Sequence, residues 1–250
     1  MRTIPDGLVL DPVDEHDLGV LRSGKEAQIN VVEWTDGDGH RCLVARKLYL
    51  PREVKAKGTL EALGAQRSTA FRNDAAYREG RQFRKTRDRR AVERMTTYGK
   101  RLLQDRWTSH EHDVMRRLWD EGAPVPYPIR YGADVFHLEY VGDAEQAAPQ
   151  LAQARLDDDD LAIAWEQVVD GLHAITRAGY AHGDLSAYNV LWWDGQVWFI
   201  DFPQAVDLAA NPNGFEFLHR DVLNVTTWFN RRGLDEDAEE VFAEVLSSAW

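Results

Sequence analysis

The 250-residue sequence contains one cysteine, Cys42. A single thiol excludes an internal disulfide framework and any zinc site built on several cysteines. No run approaches the roughly 18–20 apolar residues of a membrane span. The opening MRTIPDGLVL lacks an apolar stretch of signal-peptide length. The expectation is a soluble, cytoplasmic protein without membrane contact. Internal repeats are also missing. Basic residues are in deficit, 30 against 42 acidic, for a formal charge of −12. That balance argues weakly against a general nucleic-acid binder.

What is present narrows the class. Hydrophobic residues make up 44% and aromatics 10%, which excludes wholesale disorder. On a prior of about 150 residues per domain, the length allows one or two domains. The charge is uneven. Residues 67–106 carry a net +8, so the remainder carries −20, with acidic clusters at 157–160 and 235–240. A basic run of this kind is either a solvated helix face or an arm for phosphate or RNA. It has little of the aromatic interleaving of a base-stacking platform.

The pattern orders the elements. Residues 1–19 look like an extended lead-in. Segments 26–34 (EAQINVVEW) and 42–50 (CLVARKLYL) are strand-like, with the turn cluster TDGDGHR between them. Residues 74–119 are mostly helical, ended by Gly122, Pro124, Pro126 and Pro128. A strand follows at 134–141 (DVFHLEYV), and a helical or loop passage at 144–160. Leu161, Trp165, Val168, Leu172 and Ile175 step by four and three, which predicts an amphipathic helix over 160–178 with Gly179 as its cap. Helices are expected from 216 to 233 and over 235–249. The class is α+β, with a small sheet-rich lobe followed by a helical one.

One hairpin organises the chemistry. In YNVLWW-DG-QVWFID (188–201), Asp194-Gly195 between apolar runs signals a two-residue type I′ turn. Counting outward pairs Trp193 with Gln196 and Val190 with Phe199, and brings Asn189 and Asp201 to the open end. Asp184 lies five residues before Asn189. Two carboxylates and an amide there suit magnesium, with one carboxylate left to orient or deprotonate a nucleophile. Turn-capping Asx residues account for the same spacing.

Elsewhere, alternation puts Leu43, Ala45 and Lys47 on one strand face, with Arg46 opposite. An inward lysine needs an anionic partner. Glu111 falls on the apolar stripe of Trp107, Val114, Met115 and Leu118, where a carboxylate is costly unless paired.

Asp184-x4-Asn189 with Ile200-Asp201 resembles the catalytic loop and metal-binding aspartate of the protein-kinase superfamily. The fuller HGDLSAYNVL and IDFPQ, followed by EFLHRDVLNVTTWF (216–229), are similar to the RIO family of atypical serine/threonine protein kinases. Ser23-Gly24-Lys25-Glu26-Ala27 resembles the S-T-G-K-E-A loop of that family, with Arg22 where the pattern has a serine. WTSHEHDVMRRL (107–118) and PIRYGADVFHLEYVGD (128–143) resemble its helix-glutamate and hinge segments.

The resemblance implies a two-lobed kinase-like fold: lead-in 1–19, N-lobe 20–141 containing a basic flexible segment 67–106, and C-lobe 142–250. It implies the bacterial-like layout without a winged-helix N-terminal domain. It implies ATP with Mg2+ (Mn2+ as the alternative) and phosphoryl transfer to protein serine/threonine, autophosphorylation included, or ATPase switching through an aspartyl-phosphate. Asp184 and Asp201 would be catalytic, and Asn189 and Asp201 would hold the metal. Ser23, Gly24, Lys25, Lys47, Glu111, Glu139, Val141 and Ser186 would bind nucleotide, with Glu139 and Val141 acting through their backbone. His182 would support the loop. A protein or ribonucleoprotein is the implied target, and 67–106 the weak candidate for RNA contact. HGD together with IDF is shared with aminoglycoside- and choline-type phosphotransferases, so a small-molecule phosphotransferase stays open, as does a non-catalytic nucleotide-binding scaffold.

Overall fold

The computed structural model describes residues 2–24, 27–50, 90, 96–132 and 134–249. Lys25 and most of the basic segment 67–106 lie outside the described residues, as does the 74–95 part of the expected long helix except Arg90.

The N-terminal half is one antiparallel sheet of order β1-β2-β3-β5-β4. Its strands are β1 (Asp14–Ser23), β2 (Ala27–Thr35), β3 (Arg41–Tyr49), β4 (Pro128–Tyr131) and β5 (Val135–Glu139). β2 and β3 pair without a break from Ala27↔Tyr49 to Thr35↔Arg41. Asp36 holds the turn between them, its Oδ1 accepting from the N–H groups of Asp38 and His40 at 2.9 Å each. Val32, Trp34 and Val44 are buried with Val9, so the N-terminal residues cover one face of the sheet.

Residues 14–19 are strand rather than lead-in. Every residue of β1 is exposed. The strand exists through its ladder to β2, not through burial, so it carries no period-two apolar signature.

Helix α1 (Thr97–Asp120) leads to β4. The C-terminal half is built on helices α2 (Asp158–Arg177), α3 (Gly214–Asn230) and α4 (Ala238–Leu246), the last followed by a short 3-10 turn. The aspartate run before α2 has a local job. Asp157 caps the helix by accepting from Asp160 N at 2.9 Å, and Asp158, Asp159 and Asp160 sit against the positive end of the helix dipole. Ala178 is the C-cap, and Gly179 follows it at φ 88°. The passage 144–157 is loop and turn.

The hairpin β7 (Val190–Trp193) and β8 (Gln196–Phe199) pairs Trp193 with Gln196 and Val190 with Phe199. Asp194 and Gly195 both have positive φ, 49° and 70°, as a type I′ turn requires. A two-stranded ribbon, β6 (Tyr180–Ala181) with β9 (Val206–Asp207), closes the loops beside it. The main core runs from Phe136 through Met115 and Leu118 to Leu172, Phe199, Phe202 and Phe229. The architecture is a two-lobed, kinase-like α+β fold.

Candidate active site

Lys47 lies two residues from the C-terminal end of β3 and is almost fully buried. A lone ammonium there would be strongly destabilising. Its Nζ donates to Glu111 Oε1 at 2.7 Å, Glu111 Oε2 at 2.9 Å and Asp201 Oδ1 at 2.6 Å. The three charges come from a strand, a helix and the loop after β8. Burial works against the charged lysine, but the two carboxylates outweigh it and raise its pKa. Burial and the neighbouring Asp201 push the Glu111 carboxyl up, and Lys47 opposes them. Asp201 is half-exposed. Partial burial would raise its carboxyl too, but Lys47 overrides that and holds it below the usual range. Arg46, on the other face of β3, binds Glu15 at 2.6 Å and also Asp17.

Asp201 has φ 71°, a left-handed conformation that is strained for a residue with a Cβ. The next residues hold it there. Phe202 is fully buried, and its N–H donates to Glu111 Oε1 at 3.0 Å. The His182 ring packs 4.5 Å from the Phe202 ring, and its Nε2 bonds the Ile200 carbonyl at 3.0 Å. A carbonyl only accepts, so Nε2 carries the proton. His182 thus supports the loop.

The loop 182–189 is held from behind. Asp221 of α3 is fully buried, with one carboxylate oxygen accepting from Gly183 N at 2.7 Å and the other from Leu185 N at 3.0 Å. Burial pushes its carboxyl up, against the pull of His182 and these two N–H groups. Asp184, between the two anchored amides, is exposed. Its Oδ2 accepts from Gln204 Nε2 at 3.3 Å, and its carbonyl accepts from Asn189 Nδ2 at 2.8 Å. Gly183 has φ 82°, and a Cβ there would lie 2.2 Å from the Gln204 carbonyl oxygen. The 182–189 loop and the loop after Asp201 therefore touch backbone to backbone.

Lys47, Glu111 and Asp201 converge directly, while Asp184 and Asn189 are joined to each other. The link between Asn189 and Asp201 runs through the backbone, with Ile200 N donating to Asn189 O at 3.0 Å. Ser23 and Gly24 sit at the exposed end of β1, where Gly24 N donates to Ala27 O at 2.9 Å. Ser186 is half-buried, its carbonyl accepting from Asn189 N at 2.8 Å. Glu139 is tied into the fold twice, its N–H donating to Tyr127 O and its carboxylate accepting from Tyr127 N, each at 2.9 Å. The Val141 carbonyl accepts from Ala148 N at 2.9 Å. Val31, Ala45 and Leu138 form one row across the sheet, half-buried, on the Lys47 face.

The sequence motifs assign no role to Asp221. The signal was available: an aspartate interrupts the apolar stripe Leu218, Val222, Val225 of α3, as Glu111 interrupts that of α1. Gln204 closes the IDFPQ motif, and its contact to Asp184 is visible only in the structure.

A lysine held by a helix carboxylate and an Asp-containing loop, under a five-stranded sheet, defines a kinase-like cleft. The RIO domain family model matches residues 69–241. The chain is 33% identical over 135 residues to the RIO-type serine/threonine-protein kinase Rio1 of Thermoplasma acidophilum, covering 54% of this chain and 69% of that protein. It is 36% identical over 136 residues to Rio1 of Haloferax volcanii, covering 54% and 46%. To the serine/threonine-protein kinase RIO1 of Chaetomium thermophilum it is 28% identical over 227 residues, covering 87% and 40%. The chain thus spans less than half the length of the last two. It belongs to the RIO domain family, whose kinases use ATP and a divalent metal. Among the described residues no helix is long and apolar enough to cross a membrane.

Proposed function

We propose that this chain transfers the terminal phosphoryl group of ATP to protein serine or threonine, its own residues included, or to Asp201 in an ATPase cycle. The observation that carries the reading is Lys47, held by Glu111 and Asp201 together at 2.6–2.9 Å. Phosphoryl transfer needs positioning and charge neutralisation more than covalent chemistry, and this arrangement fixes a cation where the two lobes meet.

Lys47 aligns the phosphates, with Ser23, Gly24 and Lys25 covering them. The base lies against Val31, Ala45 and Leu138 and bonds the backbone of Glu139 and Val141. The Val141 N–H, which makes no hydrogen bond among the described residues, supports this. Asp184 orients the acceptor hydroxyl or takes its proton, and Ser186 lies beside the transferred group. In the ATPase branch an Asp201 carboxylate oxygen attacks the terminal phosphorus, and the bond to ADP breaks as ADP leaves with the electron pair. Water then cleaves the acyl phosphate, releasing phosphate and restoring the carboxylate.

The donor set fits a magnesium ion, or manganese in its place. Asn189 Nδ2 is committed to Asp184 O, which leaves the amide oxygen as a hard donor, and Asp201 is kept ionised by Lys47. Asn189 and Asp201 would hold the ion, which when bound neutralises charge on phosphate oxygens. The lobes divide near Gly142. The setting is cytoplasmic, the target a protein or ribonucleoprotein, and the +8 segment 67–106 is the part suited to phosphate or RNA contact.

The test is ATP turnover by the wild type, Asp184→Ala and Asp201→Ala, with mass spectrometry for phosphoserine, phosphothreonine and acyl phosphate. Magnesium-dependent turnover lost in both variants is expected. No such turnover in the wild type overturns the proposal. Strong stimulation by an aminoglycoside-like alcohol without protein phosphorylation assigns a small-molecule phosphotransferase instead.

A further inference from the structure

The register of the sheet sets Arg22 in the same row as Lys47. Arg22 pairs with Ile29, Ile29 with Lys47, and Lys47 with Phe136. Directly opposed residues of antiparallel strands share a face. The opposite face is marked by its own contacts: Asn30 and Arg46 both bind Asp17, and Trp34 and Arg46 both bind Glu15. Arg22 belongs to the cleft face only because of an irregularity. Val20 pairs with Asn30, and the next pair is Arg22 with Ile29, so Leu21 is an extra residue in β1. Without that bulge Leu21 would oppose Ile29, and Arg22 would turn to the far side. Bulges re-aim side chains in this way.

Two further observations concern the guanidinium. It makes no hydrogen bond or ion pair among the described residues. On the cleft face of β1–β5, Lys47 is held by two carboxylates and Arg41 meets Glu33 at 3.5 Å, so Arg22 is the one described cation there without a carboxylate partner. Its charge also reaches Asp201, in the segment after β8. Partial desolvation lowers the pKa of the otherwise exposed Arg22 while Asp201 opposes that, and Arg22 helps hold the Asp201 carboxyl down.

We propose that Arg22 contacts the terminal phosphoryl group of the bound nucleotide, as a second cation across the cleft from Asp201 and distinct from Lys47. This rests on the nucleotide-cleft reading above. A guanidinium offers a planar fork of donors that matches phosphate oxygens two at a time, which a lysine cannot reproduce. Lys47 is committed to two carboxylates, so the negative charge on the transferred group needs a cation that the protein has not already neutralised. An arginine aimed at that group stabilises the charge in the transition state.

The experiment compares wild type, Arg22→Ala and Arg22→Lys in two assays with magnesium: binding of ADP and of a non-hydrolysable ATP analogue by calorimetry, and steady-state ATP turnover. For Arg22→Ala, ADP affinity within about twofold of wild type, the analogue weakened about tenfold or more, and kcat lowered at least tenfold are expected; a smaller loss is expected for Arg22→Lys. Thermal unfolding controls for folding. Equal weakening of ADP and the analogue, or unchanged analogue binding in Arg22→Ala, overturns the inference. If the wild type binds nucleotide but turns nothing over, the catalytic reading fails, while the analogue-to-ADP ratio still decides the role of Arg22. If it binds no nucleotide, both fail.

Discussion

Glu111 accepts from the Phe202 N–H, 3.0 Å away, with the same oxygen that meets Lys47 Nζ. One carboxylate thus fixes both the lysine and the backbone step after Asp201. Glu111→Gln keeps an acceptor for Phe202 but removes the charge, and a drop in ATP turnover of at least tenfold is expected with a modest stability loss. Glu111→Ala leaves a cavity, an unpaired buried N–H and a lysine held only by Asp201. It is expected to cost about 3 kcal/mol, the low end for breaking a buried pair, because Asp201 remains. Urea denaturation of both variants separates the two effects.

Asp221 has no route to the nucleotide except through the loop it anchors. Asp221→Ala leaves two buried N–H groups without acceptors, at roughly 1–3 kcal/mol each. Asp221→Asn can satisfy one and presents a donor to the other. Both variants are expected to lower kcat more than they raise the KM for ATP, since Lys47 and the hinge are untouched. A change confined to KM would show that the loop does not depend on this anchor.

Gly183 and Gly195 both have positive φ, 82° and 70°, but different surroundings. At Gly195 an added methyl meets nothing within 4 Å. Gly195→Ala is therefore expected to cost only the left-handed backbone penalty of about 1–2 kcal/mol. Gly183→Ala carries the same penalty and drives a Cβ to 2.2 Å from the Gln204 carbonyl. It is expected to be the more destabilising of the two by at least about 1 kcal/mol and to lower ATP turnover, because the clash separates the Asp184 loop from the segment after Asp201. Paired melting curves and turnover rates check both expectations.

The sequence legibility of these features follows from what positions each residue. Glu111 was readable because a carboxylate on a buried helical stripe is conspicuous. The β7–β8 register was readable because Asp194-Gly195 permits little else. Strand β1 was not, since its residues are exposed and its identity lies in a partner strand. The ribbon of β6 and β9 has two residues on each side, too few for any period. Arg22 stood out in the sequence only as a departure from a pattern. Its place on the Lys47 face depends on the extra residue at Leu21, which composition does not announce.

His137 supplies a pH dependence outside the cleft. It lies on β5, almost fully buried, with its ring 5.0 Å from the Trp34 ring and Nε2 3.7 Å from Glu15 Oε2. Burial, and then the nearby charges of Arg130 and Arg46, push its pKa down to about 4, with Glu15 pulling the other way. The unfolded chain takes up this proton near pH 6.5, and the folded chain resists it until about pH 4. The stability due to neutral His137 is therefore complete above pH 6.5 and is lost as the pH falls toward 4. Between pH 7 and pH 5 the loss is expected to be about 2 kcal/mol. His137→Gln keeps a neutral polar side chain without the titration, so its stability is expected to vary much less over that interval. Urea midpoints of both proteins at pH 5 and pH 7 measure the difference, and equal shifts in the two would remove His137 as the cause.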